Sequence, residues 1–268
     1  MLDTKWNLDK LKNQAISNQN FDNYILKESG ILENTNLKVL DIGCSNGCKT
    51  EMLFDQYEQI SEIVGIDVDE NAINEANKKF KDNNRYKFYY KDIYSLEDKT
   101  QYDVIHLSYV LQHLKDPEDV LSKLKNMLTD RGVIIIKVPD DSFKYCYPDN
   151  NNILKQIFSL YEDDIMRKSN ITKYTDRYIG KKVYSYLMGA GYDNIKLYYS
   201  ISDTINKNEE ERLKLFESSI AYRSSIDKKD ICPKTKDKME ELMNEMREMF
   251  KKDDFYYTMT VLYYIANK

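Results

Sequence analysis

Four residues at alternate positions have the clearest chemical purpose: Asp41, Gly43, Ser45 and Gly47, within Val39-Leu40-Asp41-Ile42-Gly43-Cys44-Ser45-Asn46-Gly47. Glycines there let the backbone approach a ligand with no Cβ in the way. The residues from Lys38 to Ile42 read as a short buried strand. Those from Cys48 to Tyr57 read as a helix with Met52, Leu53 and Tyr57 on one face. A strand, a glycine turn and a helix, in that order, present backbone N–H groups at the open end of a parallel sheet. That is where α/β proteins hold nucleotides. On this motif alone, an ordinary strand-to-helix turn of an α/β protein is the competing reading.

The elements that must position this turn follow in order. Glu62-Ile63-Val64-Gly65-Ile66-Asp67 reads as a second strand ending in an acid, twenty residues after Gly47. A carboxylate there can accept from both hydroxyls of a ribose. The alternative is a helix-start acid, because a helix follows from about Asp69. Arg85 to Tyr90 reads as a third strand, followed by Asp92 and Ile93. Tyr102 to Ser108 reads as a fourth, with Tyr109 to Leu114 opening its helix. A dinucleotide site needs three glycines as G-x-G-x-x-G, and this turn lacks the third.

In their order and spacing these segments resemble the class I S-adenosylmethionine-dependent methyltransferases, with Ser45 in place of the usual middle glycine. The resemblance implies a three-layer, doubly wound, Rossmann-like α/β fold. Its seven-stranded sheet has six parallel strands and one antiparallel, with helical insertions. The implied cofactor is S-adenosylmethionine, held by Asp41, Gly43, Cys44, Ser45, Gly47, Asp67, Val68, Asp92, Ile93, Leu107 and Ser108. In such a site Asp92 meets the adenine amino group and the N–H of Ile93 meets the ring. Tyr109, Gln112, Tyr145, Tyr147, Trp6 and Tyr24 are the candidate acceptor walls. His113 is the candidate general base, with a structural hydrogen bond as its alternative; His106, mid-strand, reads as a core imidazole.

The chain of 268 residues carries a net charge of −5 and a pI near 5.3, which disfavours a phosphate-backbone partner such as nucleic acid. No signal-peptide pattern and no membrane-length apolar run is present, so a cytoplasmic monomer or homodimer is expected. The four cysteines, Cys44, Cys48, Cys146 and Cys232, fit neither a metal site nor a disulfide framework. No metal is expected.

One decorated domain spans 1–268. Residues 1–34 are a helical cover, 35–139 the cofactor-binding core, 140–178 a lid or a surface excursion, and 179–268 the C-terminal half. Within that half, 203–252 is a helical insertion whose stripe Met239, Leu242, Met243, Met246 and Phe250 reads as a packing face. Trp6 either joins the cover or staples the terminus. The expected reaction is in-line methyl transfer to an oxygen or nitrogen of a small molecule. The alternatives are an inactive binding protein of the same fold, or an enzyme that methylates protein or RNA.

Overall fold

The computed structural model describes residues 19–96, 99–149, 151–166, 173–224 and 231–268. Trp6 and the helix expected over residues 7–17 lie outside them. Eight strands are present: β1 Leu37–Ile42, β2 Ile60–Asp67, β3 Tyr86–Tyr90, β4 Tyr102–Ser108, β5 Leu128–Pro139, β6 Tyr145–Tyr147, β7 Asp193–Asp203 and β8 Tyr256–Asn267. The first five pair in parallel in the order β3-β2-β1-β4-β5. The helices are α1 (residues 19–28), α2 Cys48–Phe54, α3 Glu70–Lys79, α4 Pro117–Asn126, α5 Ile153–Leu160, α6 Val183–Gly189, α7 Glu209–Ser219 and α8 Pro233–Lys251.

The strands read as apolar runs because parallel strands are covered on both faces. Val39, Ile63, Val104 and Ile134 have no solvent exposure. The chain order reverses between β1 and β4, and a crevice opens at the carboxyl ends of the strands where this happens. Beyond β5 comes β8. Lys268, just past its last residue, donates its backbone N–H to the Gly132 carbonyl in the first half of β5, so β8 runs against the parallel set. The sheet is therefore mixed and mostly parallel. The short β6, antiparallel to β8, adds one strand to the seven expected.

One local expectation is corrected. Tyr109 to Leu114 does not open a helix: Leu111–His113 is a single 3-10 turn. Tyr109 sits at φ 58, in left-handed backbone that cannot propagate a helix. The α-helix waits for Pro117 at its first turn, with Glu118 and Asp119 near its positive end and Lys123 and Lys125 near its negative end. Asp130, Arg131 and Gly132 lie within β5. The register slips there, with Tyr102 opposite Leu128 and Val104 opposite Val133, so the extra residues bulge out of the pair.

The described residues form two compact units. One draws on residues 19–139, 179–199 and 262–268; the other on 140–178 and 200–261. The segments 140–178 and 203–252, expected as separate insertions, thus build one unit with its own core. Met239, Leu242, Met243, Met246 and Phe250 of α8 are all buried there, packed with Ile157, Phe216 and Phe255. Arg212 on α7 closes the end of α8 by donating to the carbonyls of Phe250 (2.9 Å) and Lys251 (2.7 Å), which have no partner within the helix.

At the centre of this second unit one carboxylate meets three cations. Asp141 accepts from Arg177 at 3.1 Å and from Arg223 at 2.7 and 2.9 Å, and Lys144 lies 2.9 Å away. Burial alone would raise the Asp141 pKa, yet Arg177, Arg223 and Lys144 hold it well below the usual carboxylate range. Burial pushes Lys144 down to about 7, against the pull of Asp141. Asp141→Ala leaves three buried cations without their counter-charge. It should cost about 3–5 kcal/mol in urea unfolding. Lys144 binds its proton less tightly when folded than when unfolded. Its contribution to stability should therefore rise with pH from about 7 towards about 10.4, by up to about 1.4 kcal/mol per unit. The difference in unfolding free energy between wild type and Lys144→Met, followed from pH 7 to 9, isolates that slope.

Candidate cofactor and acceptor site

The carboxyl ends of β1 to β4 are level. Ile42 is opposite both Ile66 and Leu107, and Asp67 is opposite Tyr90. Gly43, Asp67, Asp92 and Ser108 therefore follow these ends in one row. Three strand spacings make it about 14 Å long.

The glycine turn crosses from β1 onto β2. The N–H groups of Gly43 (2.8 Å) and Cys44 (3.1 Å) both donate to Ile66 O. Ser45 and Gly47 have positive φ, 50° and 74°. Ser45 N–H donates to Asp67 Oδ2 at 2.8 Å, and Asp69 N–H to Asp67 Oδ1 at 2.9 Å. The helix-start acid is Asp69, which accepts from Asn71 and Ala72 at the head of α3. Asp67 instead holds the turn against the end of β2. Burial raises its pKa, opposed by those backbone donors.

Asp41 lies beneath the turn. One oxygen accepts from Thr50 Oγ1 of α2 at 2.5 Å, and the other meets His106 Nδ1 of β4 at 2.7 Å. His106 is thus a paired imidazole, with Phe54 edge-on at 5.6 Å. The glycines also serve packing. A Cβ on Gly47 would lie 2.7 Å from the Phe88 ring, and one on Gly65 only 2.5 Å from it. A Cβ on Gly43 would meet Val110 Cγ2 at 2.3 Å. Gly43 itself is exposed.

Methyltransferase domain is the description of the family model that matches residues 33–191. The chain belongs to this family, the class I S-adenosylmethionine-dependent methyltransferases. Among curated relatives, trans-aconitate 2-methyltransferase of Agrobacterium fabrum is 31% identical over 101 residues, covering 38% of each chain. Carboxy-S-adenosyl-L-methionine synthase of Helicobacter pylori is 35% identical over 108 residues, covering 39% of this chain and 45% of that one. The chain thus spans less than half the length of these relatives. Among solved structures, a phosphoethanolamine N-methyltransferase of Haemonchus contortus in complex with S-adenosyl-L-methionine has a TM-score of 0.53 at 16% identity. It covers 88% of this chain and 49% of its own. A cyclopropane synthase of Mycobacterium tuberculosis has a TM-score of 0.55 at 13% identity, covering 91% and 84%. At such identities these two share the fold.

S-adenosylmethionine is the cofactor of this methyltransferase family, and the row of strand ends suits it. The row is long enough for an adenosine with an amino-acid tail. It carries carboxylates at the ends of β2 and β3, and Gly43 is open beside it. Val68 is 64% exposed, Asp92 is exposed, and Ile93 and Leu107 are buried beneath the edge. Asp92 Oδ1 accepts from Tyr94 N–H at 3.0 Å, which fixes its loop. Cys44 is buried, and burial raises its thiol pKa far above the usual range.

The acceptor candidates lie in both units. Tyr109 follows β4 directly. Gln112 is buried, its amide nitrogen 3.2 Å from His113 Nε2 and its oxygen without a partner. Tyr24 packs edge-on against Tyr198 at 5.9 Å. Tyr145 and Tyr147 belong to β6 in the second unit and are exposed.

Two lysines escaped the sequence reading. Lys137 of β5 is buried with both oxygens of Asp22 at 2.8 and 3.0 Å, and Tyr263 OH donates to Asp22 Oδ1 at 2.7 Å. A lysine inside Val-Ile-Ile-Ile-Lys-Val was the available signal. Asp22, 115 positions away, gave none. Lys49 of α2 is the other. Among the described residues no group of His, Cys, Asp and Glu is placed to hold a metal. No described helix is long and apolar enough to cross a membrane.

Gly43→Ala should destabilise the protein through its collision with Val110 and its left-handed backbone. Adding Val110→Ala should relieve the collision and leave the backbone strain of about 1–2 kcal/mol. Thermal unfolding of the two variants and wild type measures both parts.

Proposed function

We propose that the protein transfers a methyl group from S-adenosylmethionine to an oxygen or nitrogen of a small molecule. The observation that carries this is the level row of Gly43, Asp67, Asp92 and Ser108 at the carboxyl ends of four parallel strands. The names of the curated relatives support methyl chemistry on small molecules. The acidic pI of 5.3 argues against a nucleic-acid acceptor.

The cofactor supplies an already activated sulfonium methyl, so the chain's task is positioning. Backbone N–H groups engage both Asp67 oxygens, and a carboxylate has about four lone-pair sites, so room remains for a ribose hydroxyl. Asp92 and the adjacent backbone of Ile93 would meet the adenine. The backbone from Gly43 to Gly47 would pass under the amino-acid tail. Ser108 and Tyr109, at the end of β4, border the place where the acceptor must lie. His113 has Gln112 as a neighbour at 3.2 Å, an arrangement that supports an orienting role.

Asp67→Ala removes the ribose partner. S-adenosylmethionine binding should weaken by about 1.5–3 kcal/mol in calorimetry. Unchanged affinity would mean that Asp67 serves only the turn. If wild type takes up no S-adenosylmethionine at all, the proposed transfer is wrong.

A further inference from the structure

A small pocket in the first unit is lined by Gln19 and Asp22 of α1, Lys49 and Met52 of α2, and His106 and Ser108 of β4. Its charges are unequally satisfied. Asp22 is committed to Lys137 and Tyr263. Asp41, behind the wall, is committed to Thr50 and His106. Lys49 has no carboxylate within 4.0 Å among the described residues, whereas Lys137 has both oxygens of Asp22. The ammonium of Lys49 lies 5.2 Å from the centre of the Tyr109 ring, and that of Lys137 lies 5.3 Å from the same ring. Two cations thus share one aromatic ring, and only one of them has an ionic partner.

We infer that Lys49 binds a carboxylate in this pocket. A half-buried cation keeps a counter-ion where one can reach it. The unmet charge is single, and Asp22 and Asp41 stand nearby. A singly charged carboxylate matches that balance; a doubly charged phosphate would leave one negative charge facing two others. Burial, then the proximity of Lys137, brings Lys49 down to about 8, so its ammonium form prevails at neutral pH. The position also suits methyl transfer, because Ser108 belongs both to this pocket and to the row of strand ends. The carboxylate has two sources: the amino-acid tail of the cofactor, or the acceptor. The cofactor source rests on the function proposed above; the pocket itself does not.

The chain has only two histidines, and one of them lines the pocket. Histidine-labelled protein therefore reports occupancy through His106, with His113 as the second signal. Calorimetry would compare S-adenosylhomocysteine, which has the carboxylate, with methylthioadenosine, which lacks it. Succinate would be titrated with S-adenosylhomocysteine saturating, while the His106 resonances are followed. Lys49→Met and Lys49→Gln serve as paired variants, each checked for an intact fold by its histidine spectrum. A loss of tenfold or more in affinity for S-adenosylhomocysteine alone assigns the carboxylate to the cofactor. A His106 shift with succinate in wild type, abolished in both variants, assigns it to the acceptor. The inference is overturned if neither ligand's binding depends on Lys49, or if inorganic phosphate displaces succinate and binds tighter. Failure of S-adenosylhomocysteine to bind wild type overturns the function but leaves the succinate titration to judge Lys49.

Discussion

A carboxylate buried in a sheet must have its charge met from within the protein, and Asp41 has it met from two directions. Thr50 reaches it from the helix after the glycine turn, and His106 reaches it from the neighbouring strand. Removing either partner strands part of a charge in a low-dielectric interior, which costs far more than an ordinary hydrogen bond. This one group therefore joins β1, α2 and β4. Those three elements meet at the row of strand ends. The turn between Gly43 and Gly47 hangs from that anchor at one end and from Asp67 at the other.

The same requirement shapes the second unit in a different way. There the anchor is surrounded by an excess of opposite charge: Arg177, Arg223 and Lys144 about Asp141. Phe158 and Tyr222 lie against the Arg223 guanidinium at 4.4 and 4.6 Å, so aromatic faces share the work of solvating it. Such a centre ties together segments far apart in the chain, with 82 positions between Asp141 and Arg223. The apolar faces of α5, α7 and α8 then close over it.

Much of the fold was legible because parallel strands announce themselves as apolar runs ending in glycine or an acid. Asp41, Gly43, Asp67 and Asp92 stand within two residues of strand ends, and Gly47 heads α2. Other features depended on tertiary partners that a local pattern does not reveal. His106 looked like a core imidazole, but nothing adjacent pointed to Asp41. Nothing adjacent to Lys49 in the sequence pointed to the pocket it lines. The helix expected at Tyr109 failed because a single residue took left-handed backbone. The segments 140–178 and 203–252 read as two decorations because their shared core is built from helices distant in sequence.

The contacts of Phe88 carry a consequence for how this chain can drift. Its ring fills the space that side chains at positions 47 and 65 would need. Position 47 belongs to the glycine turn and position 65 to β2. The three residues share one packing space. A smaller residue at 88 would remove the closest contact at both positions, yet Phe80 and left-handed backbone would still oppose a side chain at 47, and Cys44 Sγ one at 65. The glycine that looks reserved for a ligand is also held in place by a phenylalanine on the far side of the turn.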